Sequence, residues 1–425
     1  MTRVLLTILT IFAVLSSFAC VQSGGGGAYT GRWKFKETIA PEGVAVPSSG
    51  DATTPGTDGN SNSRAGTTGN SGGEPIKVGV YGDLTGQTSS FGQSTKNGIE
   101  LAVEEINAAD GVNGRKIVLV VEDDQGRPEQ AKTVVSKLIN QDKVHAVLGE
   151  VASTNSLAAA PVAQEARIPM ITPSSTNPKV TQVGDYISRV CFIDPFQGAV
   201  MAKFAANTLK AKSAAILGDV NSDYSKGLTQ FFEEEFAKLG GKVVAKEAYT
   251  QTDPDFKGQL TKIRDLKPDV IYVPGYYGQV GIIVKQAREL GINVPLLGGD
   301  GWDSPELWSL GGEALKNTYI SNHYSAENPA PEIQNFVKKF KAKFGVEPDS
   351  LAALAYDAAK VLADAIKRAG GTESVKLKDA INATKGFAGV TGTITLDSNR
   401  NAVKPAVVLE LEPISKAKAA ANANN

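Results

Sequence analysis

The chain has 425 residues, more than the roughly 100 to 200 that one domain usually holds, so two globular lobes plus extra segments is the starting expectation. Lys and Arg total 44 against 45 Asp and Glu, a net charge of −1, which excludes a broad electrostatic pull toward nucleic acid or an anionic membrane and points to small partners. Only two His (His145, His323) and two Cys (Cys20, Cys191) occur, far apart, so the usual zinc sets are excluded and no metal or cofactor is expected.

Residues 1–20 read as an address. Arg3 precedes an apolar run over residues 4–15, about a dozen residues against the roughly 20 a membrane-spanning helix needs, which fits a secretory signal peptide. The run ends in SSFAC, similar to a bacterial lipoprotein processing site, with Cys20 as the lipidated first residue; a plain signal peptide with an incidental Cys is the alternative. Residues 21–75 are rich in Gly, Ser, Thr, Asn and Pro and read as a disordered tether in which GRWKFKETI (31–39) is expected to stay undocked. A second disordered tail is expected at 413–425.

From residue 76 short β-branched runs alternate with amphipathic helical stretches. IKVGVY (76–81), KIVLVVE (116–122), HAVLG and PMIT are strands separated by helices, one of them over 153–166. The theme restarts with SAAILGD (213–219), KVVAKEA, DVIYVPG (269–275) and PLLGGDG (295–301), again with intervening helices. Helices over 333–344 and 351–369 and the strands TGTITL and AVVLEL open no third lobe. The fold class is therefore α/β: two doubly wound parallel-sheet lobes with a ligand cleft between them and several hinge crossovers, lobe 1 being 76–195 plus 323–390 and lobe 2 being 196–322 plus 391–412.

Ligands of open parallel sheets sit beyond the carboxyl ends of the strands, so the polar residues there carry the information. In lobe 1 these are Asp83, Asp123, Asp124, then Ser153 and Thr154 in GEVASTNS, and Ser174 to Thr176 in ITPSST. In lobe 2 they are Asp219, Asp223, Tyr224, Tyr276, Tyr277, and Asp300 and Trp302 in GGDGWD. Hydroxyls and free backbone N–H groups at helix starts suit a carboxylate, though Ser and Thr are also ordinary helix caps. A lone carboxylate such as Asp300 suits an ammonium group, with an Asp-Gly turn as the plainer reading; Asp194 before Pro195 could equally be a cap. No phosphate loop, G-x-S-x-G elbow or H-E-x-x-H helix occurs, and His145 reads as a core or edge histidine, so an enzyme is not expected. Cys191 reads as a buried free thiol.

Taken together, IKVGVYGDLTGQTSSFGQSTKNGIELAVEEINAADGVNGRKIVLVVEDD, GEVASTNS, IPMITPSST, DYSKG, DVIYVPGYY and GGDGW make residues 76–411 resemble the branched-chain amino-acid-binding (leucine/isoleucine/valine) solute-binding proteins of ABC transporters, with the type I periplasmic binding protein fold. The resemblance implies that Ser153, Thr176, Ala152 and Ser174 hold a ligand α-carboxylate and that Asp300 anchors the α-ammonium. Asp194, Tyr224 and the GDGW run are similar to the amino-acid pocket of metabotropic glutamate receptors, whose ligand-binding domain shares the fold. By position Phe91, Ala152, Tyr276, Trp302 and Leu351 would line the side-chain pocket. No Lys or Arg occurs in 83–95, which favours a neutral ligand. The family's early disulfide is absent, since neither Asp123 nor Ala152 is Cys. The implied partners are a free amino acid and an inner-membrane ABC permease. The protein is expected to be a periplasmic monomer that meets the membrane only through Cys20. A sensory module of the same fold, or a binder of an amide, urea or aromatic acid, are the rival readings.

Overall fold

The computed structural model describes residues 29–42 and 73–415; the expected signal peptide, Cys20 and its lipidation, and residues 43–72 and 416–425 lie outside them. In chain order the strands are β1 (Tyr29–Ile39), β2 (Ile76–Gly82), β3 (Ile117–Asp123), β4 (Ala146–Leu148), β5 (Met170–Thr172), β6 (Ile187–Arg189), β7 (Ser213–Asp219), β8 (Lys242–Tyr249), β9 (Val270–Tyr272), β10 (Leu296–Gly298), β11 (Thr318–Asn322), β12 (Phe387–Gly389), β13 (Gly392–Ile394) and β14 (Ala406–Ser415). Lobe 1 is built on the all-parallel sheet β3-β2-β4-β5-β6. Its inner strand β2 is buried on both faces except at Lys77, as a strand with helices on either side requires.

Lobe 2 is built on the seven-stranded sheet β1-β14-β11-β10-β9-β7-β8. Its strands β7 to β11 are parallel where they pair, whereas β14 and β1 add an antiparallel edge. The chain passes between lobes at three places. It leaves β6 for the helix Asp194–Lys203, whose Val200 and Met201 are in the lobe 2 core. It leaves β11 for Tyr324, which is buried with Leu101 and Phe336 of lobe 1. It returns between Ala402, in the lobe 1 core, and Ala406, in that of lobe 2.

Three boundaries differ from the expectation. Residues 31–39, expected undocked in the tether, lie in β1, which pairs with β14 from Tyr29 opposite Ser415 to Ile39 opposite Ala406. Ile394, Leu396 and Ala402, expected in lobe 2, are buried in the lobe 1 core with Ile76 and Leu354. Residues 413–415, expected in the tail, complete β14 because β1 supplies the hydrogen-bond partner that orders them.

Candidate functional site

The carboxyl ends of both sheets face one cleft, where Phe91, Val151, Ser174 and Leu351 of lobe 1 meet Tyr224, Tyr276, Asp300 and Gly301 of lobe 2. Phe91, Val151, Ala152 and Leu351 belong to the same apolar cluster as Tyr224 and Tyr276, so the lobes are closed on one another. Tyr224 and Tyr276 stack with ring centroids 5.2 Å apart, and Phe91 meets Tyr276 edge-on at 5.6 Å.

Asp300 opens a short 3-10 turn directly after β10. It is buried, and its Oδ1 accepts from Tyr224 Oη at 2.8 Å and Gln197 Nε2 at 2.7 Å, while its Oδ2 lies 2.9 Å from His323 Nε2. The flanking glycines make this approach possible: a Cβ on Gly299 would come 2.5 Å from the Tyr224 hydroxyl, and one on Gly301 would come 2.8 Å from the Gly275 carbonyl. The Gly301 N–H donates to the same Tyr224 oxygen at 3.0 Å. One carboxylate is thus held rigidly by neutral donors in a place where burial strengthens its attraction for a cation.

The facing wall is neutral and rich in hydroxyls. Ser174 follows β5 and its buried Oγ has no hydrogen-bond partner among the described residues. Thr176 lies beside the Asp194 carboxyl without a bond of normal geometry. Asp194 is fully buried, and burial, with Asp300 nearby, pushes its carboxyl up to about 8. It does not cap its helix, since neither side-chain oxygen finds a donor.

Of the candidate residues, Phe91, Ser174, Tyr224, Tyr276, Asp300 and Leu351 line the cleft. Ser153 does not: its hydroxyl accepts from the Asn177 N–H at 3.2 Å, tying the β4 and β5 loops together. Ala152 is held by its own N–H, which donates to Glu150. Trp302 is core rather than wall, fully buried with its indole N–H on the Val273 carbonyl at 3.0 Å. The strand-end aspartates close their own loops. Asp83 takes the Thr88 N–H at 2.7 Å, Asp123 the Leu84 N–H at 2.9 Å and Asp124 the Gly126 N–H at 2.9 Å. Gln197 and His323, which hold Asp300, were not among the candidates. His323 directly follows β11, so the strand-end rule that singled out Asp300 applies to it as well. His145 sits at the start of β4 with its backbone N–H on the Lys77 carbonyl, and Cys191 is a buried free thiol.

Among the described residues no group of three or more His, Cys, Asp or Glu could hold a metal ion, and no helix is long and apolar enough to cross a membrane.

The family described as "Periplasmic binding protein" matches residues 75–418. An amino acid binding protein of Pseudomonas aeruginosa is 36% identical over 303 residues, 71% of this chain and 80% of its own length. Leu/Ile/Val-binding protein homolog 3 of Brucella melitensis is 32% identical over 333 residues, 78% of this chain and 89% of its own. Among solved structures, the leucine binding protein LivK of Thermotoga maritima superposes with a TM-score of 0.76 at 42% identity, covering 80% of this chain and 99% of that one. The branched-chain amino acid transporter substrate binding protein LivJ of Streptococcus pneumoniae, solved with isoleucine, gives the same TM-score and coverage at 35% identity. The strand β1 lies outside the matched family region.

Proposed function

Because the chain belongs to the periplasmic binding protein family, we propose that it is the extracytoplasmic substrate-binding component of an ABC importer and that it captures a free, neutral branched-chain α-amino acid. The observation that carries this reading is the opposition of the Ser174 hydroxyl on lobe 1 to the Asp300 carboxylate on lobe 2 across a small aromatic-walled cleft. A carboxylate at one end and an ammonium at the other satisfy both walls with one small molecule. The relatives named for Leu, Ile and Val, and the isoleucine held by the Streptococcus pneumoniae protein, support the same ligand class.

In this reading lobe 1 receives the carboxylate through Ser174, Thr176 and the backbone near Ala152. Closure then brings Asp300, Tyr224 and Tyr276 onto the ammonium and the aliphatic part, expelling water from the cleft. Ser153 acts one step back, by holding the loop that carries Thr176 through the Asn177 N–H. Trp302 supports Asp300 from the core. No bond is made or broken; the closed form is what the permease meets. Acylation of Cys20 would keep a monomeric protein at the membrane, a reading that rests on residues 1–20 alone.

A thermal-shift screen against the common amino acids and simple carboxylates tests the assignment. A ligand present at about 100 times its Kd stabilises by about 2.7 kcal/mol, so isoleucine, leucine or valine is expected to raise the melting temperature clearly. A shift given by benzoate or an amide, with none from any amino acid, would show that the ligand class is wrong.

A further inference from the structure

His323 stands where the chain leaves the lobe 2 sheet: Asn322 ends β11, and Tyr324 is already buried in lobe 1. Phe192 stands in the first crossover, between β6 and the helix that starts at Asp194. The imidazole of His323 stacks on the Phe192 ring with centroids 3.8 Å apart and planes 23° from parallel. Two hinge segments are therefore in face-to-face contact through this one side chain. Its Nε2 reaches Asp300 Oδ2 at 2.9 Å, its Nδ1 has no hydrogen-bond partner among the described residues, and the side chain is fully buried. An ionised carboxylate only accepts hydrogen bonds, so the proton of the neutral ring sits on Nε2.

We propose that His323 is a positioning residue that couples hinge closure to the ammonium anchor: neutral, it aims the Asp300 carboxylate into the cleft, and protonated, it neutralises that carboxylate and loosens the ligand. This rests on the amino-acid reading above. Burial holds the imidazole below the ordinary histidine pKa against the opposing pull of Asp300, which keeps it neutral at neutral pH. The charged groups facing it are Asp300 and Lys404, the latter buried in the third crossover with its Nζ 2.6 Å from Thr391 Oγ1; Asp194, two residues after Phe192, lies near enough to Asp300 to feel its charge. Because the stack belongs to the hinge, opening the lobes moves the ring that orients Asp300, and the anchor is complete only when the cleft is shut.

Calorimetric titration of the full chain with L-isoleucine separates these roles. His323→Gln keeps a side-chain N–H donor without a titratable ring, and His323→Leu keeps bulk without a donor. At about pH 7.5 the Gln variant is expected within about threefold of wild type and the Leu variant at least about tenfold weaker, the cost of one hydrogen bond to a charged group. The 2-oxo acid analogue of isoleucine, which lacks the ammonium, should not distinguish wild type from either variant. Between about pH 8 and pH 5 wild-type affinity for isoleucine should fall more steeply than that of His323→Gln. Asp194, Asp300 and Lys404 are present in both proteins, so the difference in slope belongs to His323. Wild-type affinity in the Leu variant, or an unchanged pH slope in the Gln variant, would overturn the coupling, and the Gln profile decides alone if the Leu variant does not fold. Failure of wild type to bind any amino acid would overturn the functional reading, and this inference with it.

Discussion

Asp194 shows what the site costs the fold. A buried carboxyl with both oxygens unpaired is expensive, and its pKa near 8 against an ordinary 3.8 means that folding takes up a proton between about pH 4 and pH 8. The unfolded state is ionised throughout that window and the folded state is not, so stability falls as pH rises through it. Asp194→Asn removes the titration. The ligand-free variant is expected to melt higher than wild type, with a gain near zero at about pH 4 that grows to about 1 to 3 kcal/mol near pH 8, below the ceiling set by about 1.4 kcal/mol per pH unit. A gain independent of pH would show that Asp194 stays ionised in the fold. Residues of this kind were partly legible in the sequence. Ser174, Tyr224, Tyr276 and Asp300 could be found because a strand end announces itself as an apolar run breaking into polar residues. The division of labour between Ser153, which ties loops, and Ser174, which faces the cleft, could not, since both follow strands and differ only in which neighbour lies within 3.2 Å.

At the scale of elements the alternating strands and helices of both lobes were legible, because each is amphipathic over its own length. β1 was not. Its bulge between Phe35 and Glu37 breaks the two-residue period, leaving Trp33 half-buried and Phe35 exposed, and its partner β14 lies 380 residues away at Glu412. Docking supplies what local pattern lacks. Trp33 packs on Trp308 with centroids 4.9 Å apart, Lys36 pairs with Glu410 at 3.0 Å, and Thr208 donates to Glu37 at 2.8 Å. Partly exposed ion pairs contribute about 0 to 1 kcal/mol each, so the indole pair should dominate. Without β1, β14 would become an open edge. Trp33→Ala is therefore expected to cost about 1 to 2 kcal/mol, and to speed amide hydrogen exchange in both β1 and the outer side of β14. Isoleucine affinity should be unchanged, because none of the β1 contacts named here is a cleft residue. Exchange in β14 that ignores the substitution would mean β1 is not docked in solution.

At the scale of the whole molecule, closure is held by contacts that no ligand need touch. The Asp223 N–H donates to Thr154 Oγ1 at 3.0 Å, Asn177 Nδ2 donates to the Asp223 carbonyl at 2.8 Å, the Ser90 and Ser304 hydroxyls meet at 2.8 Å, and the Tyr277 hydroxyl donates to the Gln87 carbonyl at 3.2 Å. Each joins lobe 1 to lobe 2, so each exists only when the cleft is shut. A ligand can shift the open and closed populations only by its preference for one of them, and these bonds set how far that preference must reach. Thr154→Val keeps the volume and removes the hydroxyl. That hydroxyl also donates to Asp223 Oδ2 at 3.2 Å, so two interlobe bonds go, about 1 to 3 kcal/mol together, which should weaken binding by about five- to 150-fold, mainly through faster dissociation. Since Thr154 lies outside the cleft lining, the factor should be the same for isoleucine, leucine and valine and for their 2-oxo acids. That uniformity separates a closure residue from an anchor such as Asp300, whose loss should fall on the amino acids alone. Stopped-flow dissociation rates across the six ligands decide it: a loss confined to one ligand would place Thr154 in the binding wall, and no loss would mean that the interlobe bonds do not set the closed population.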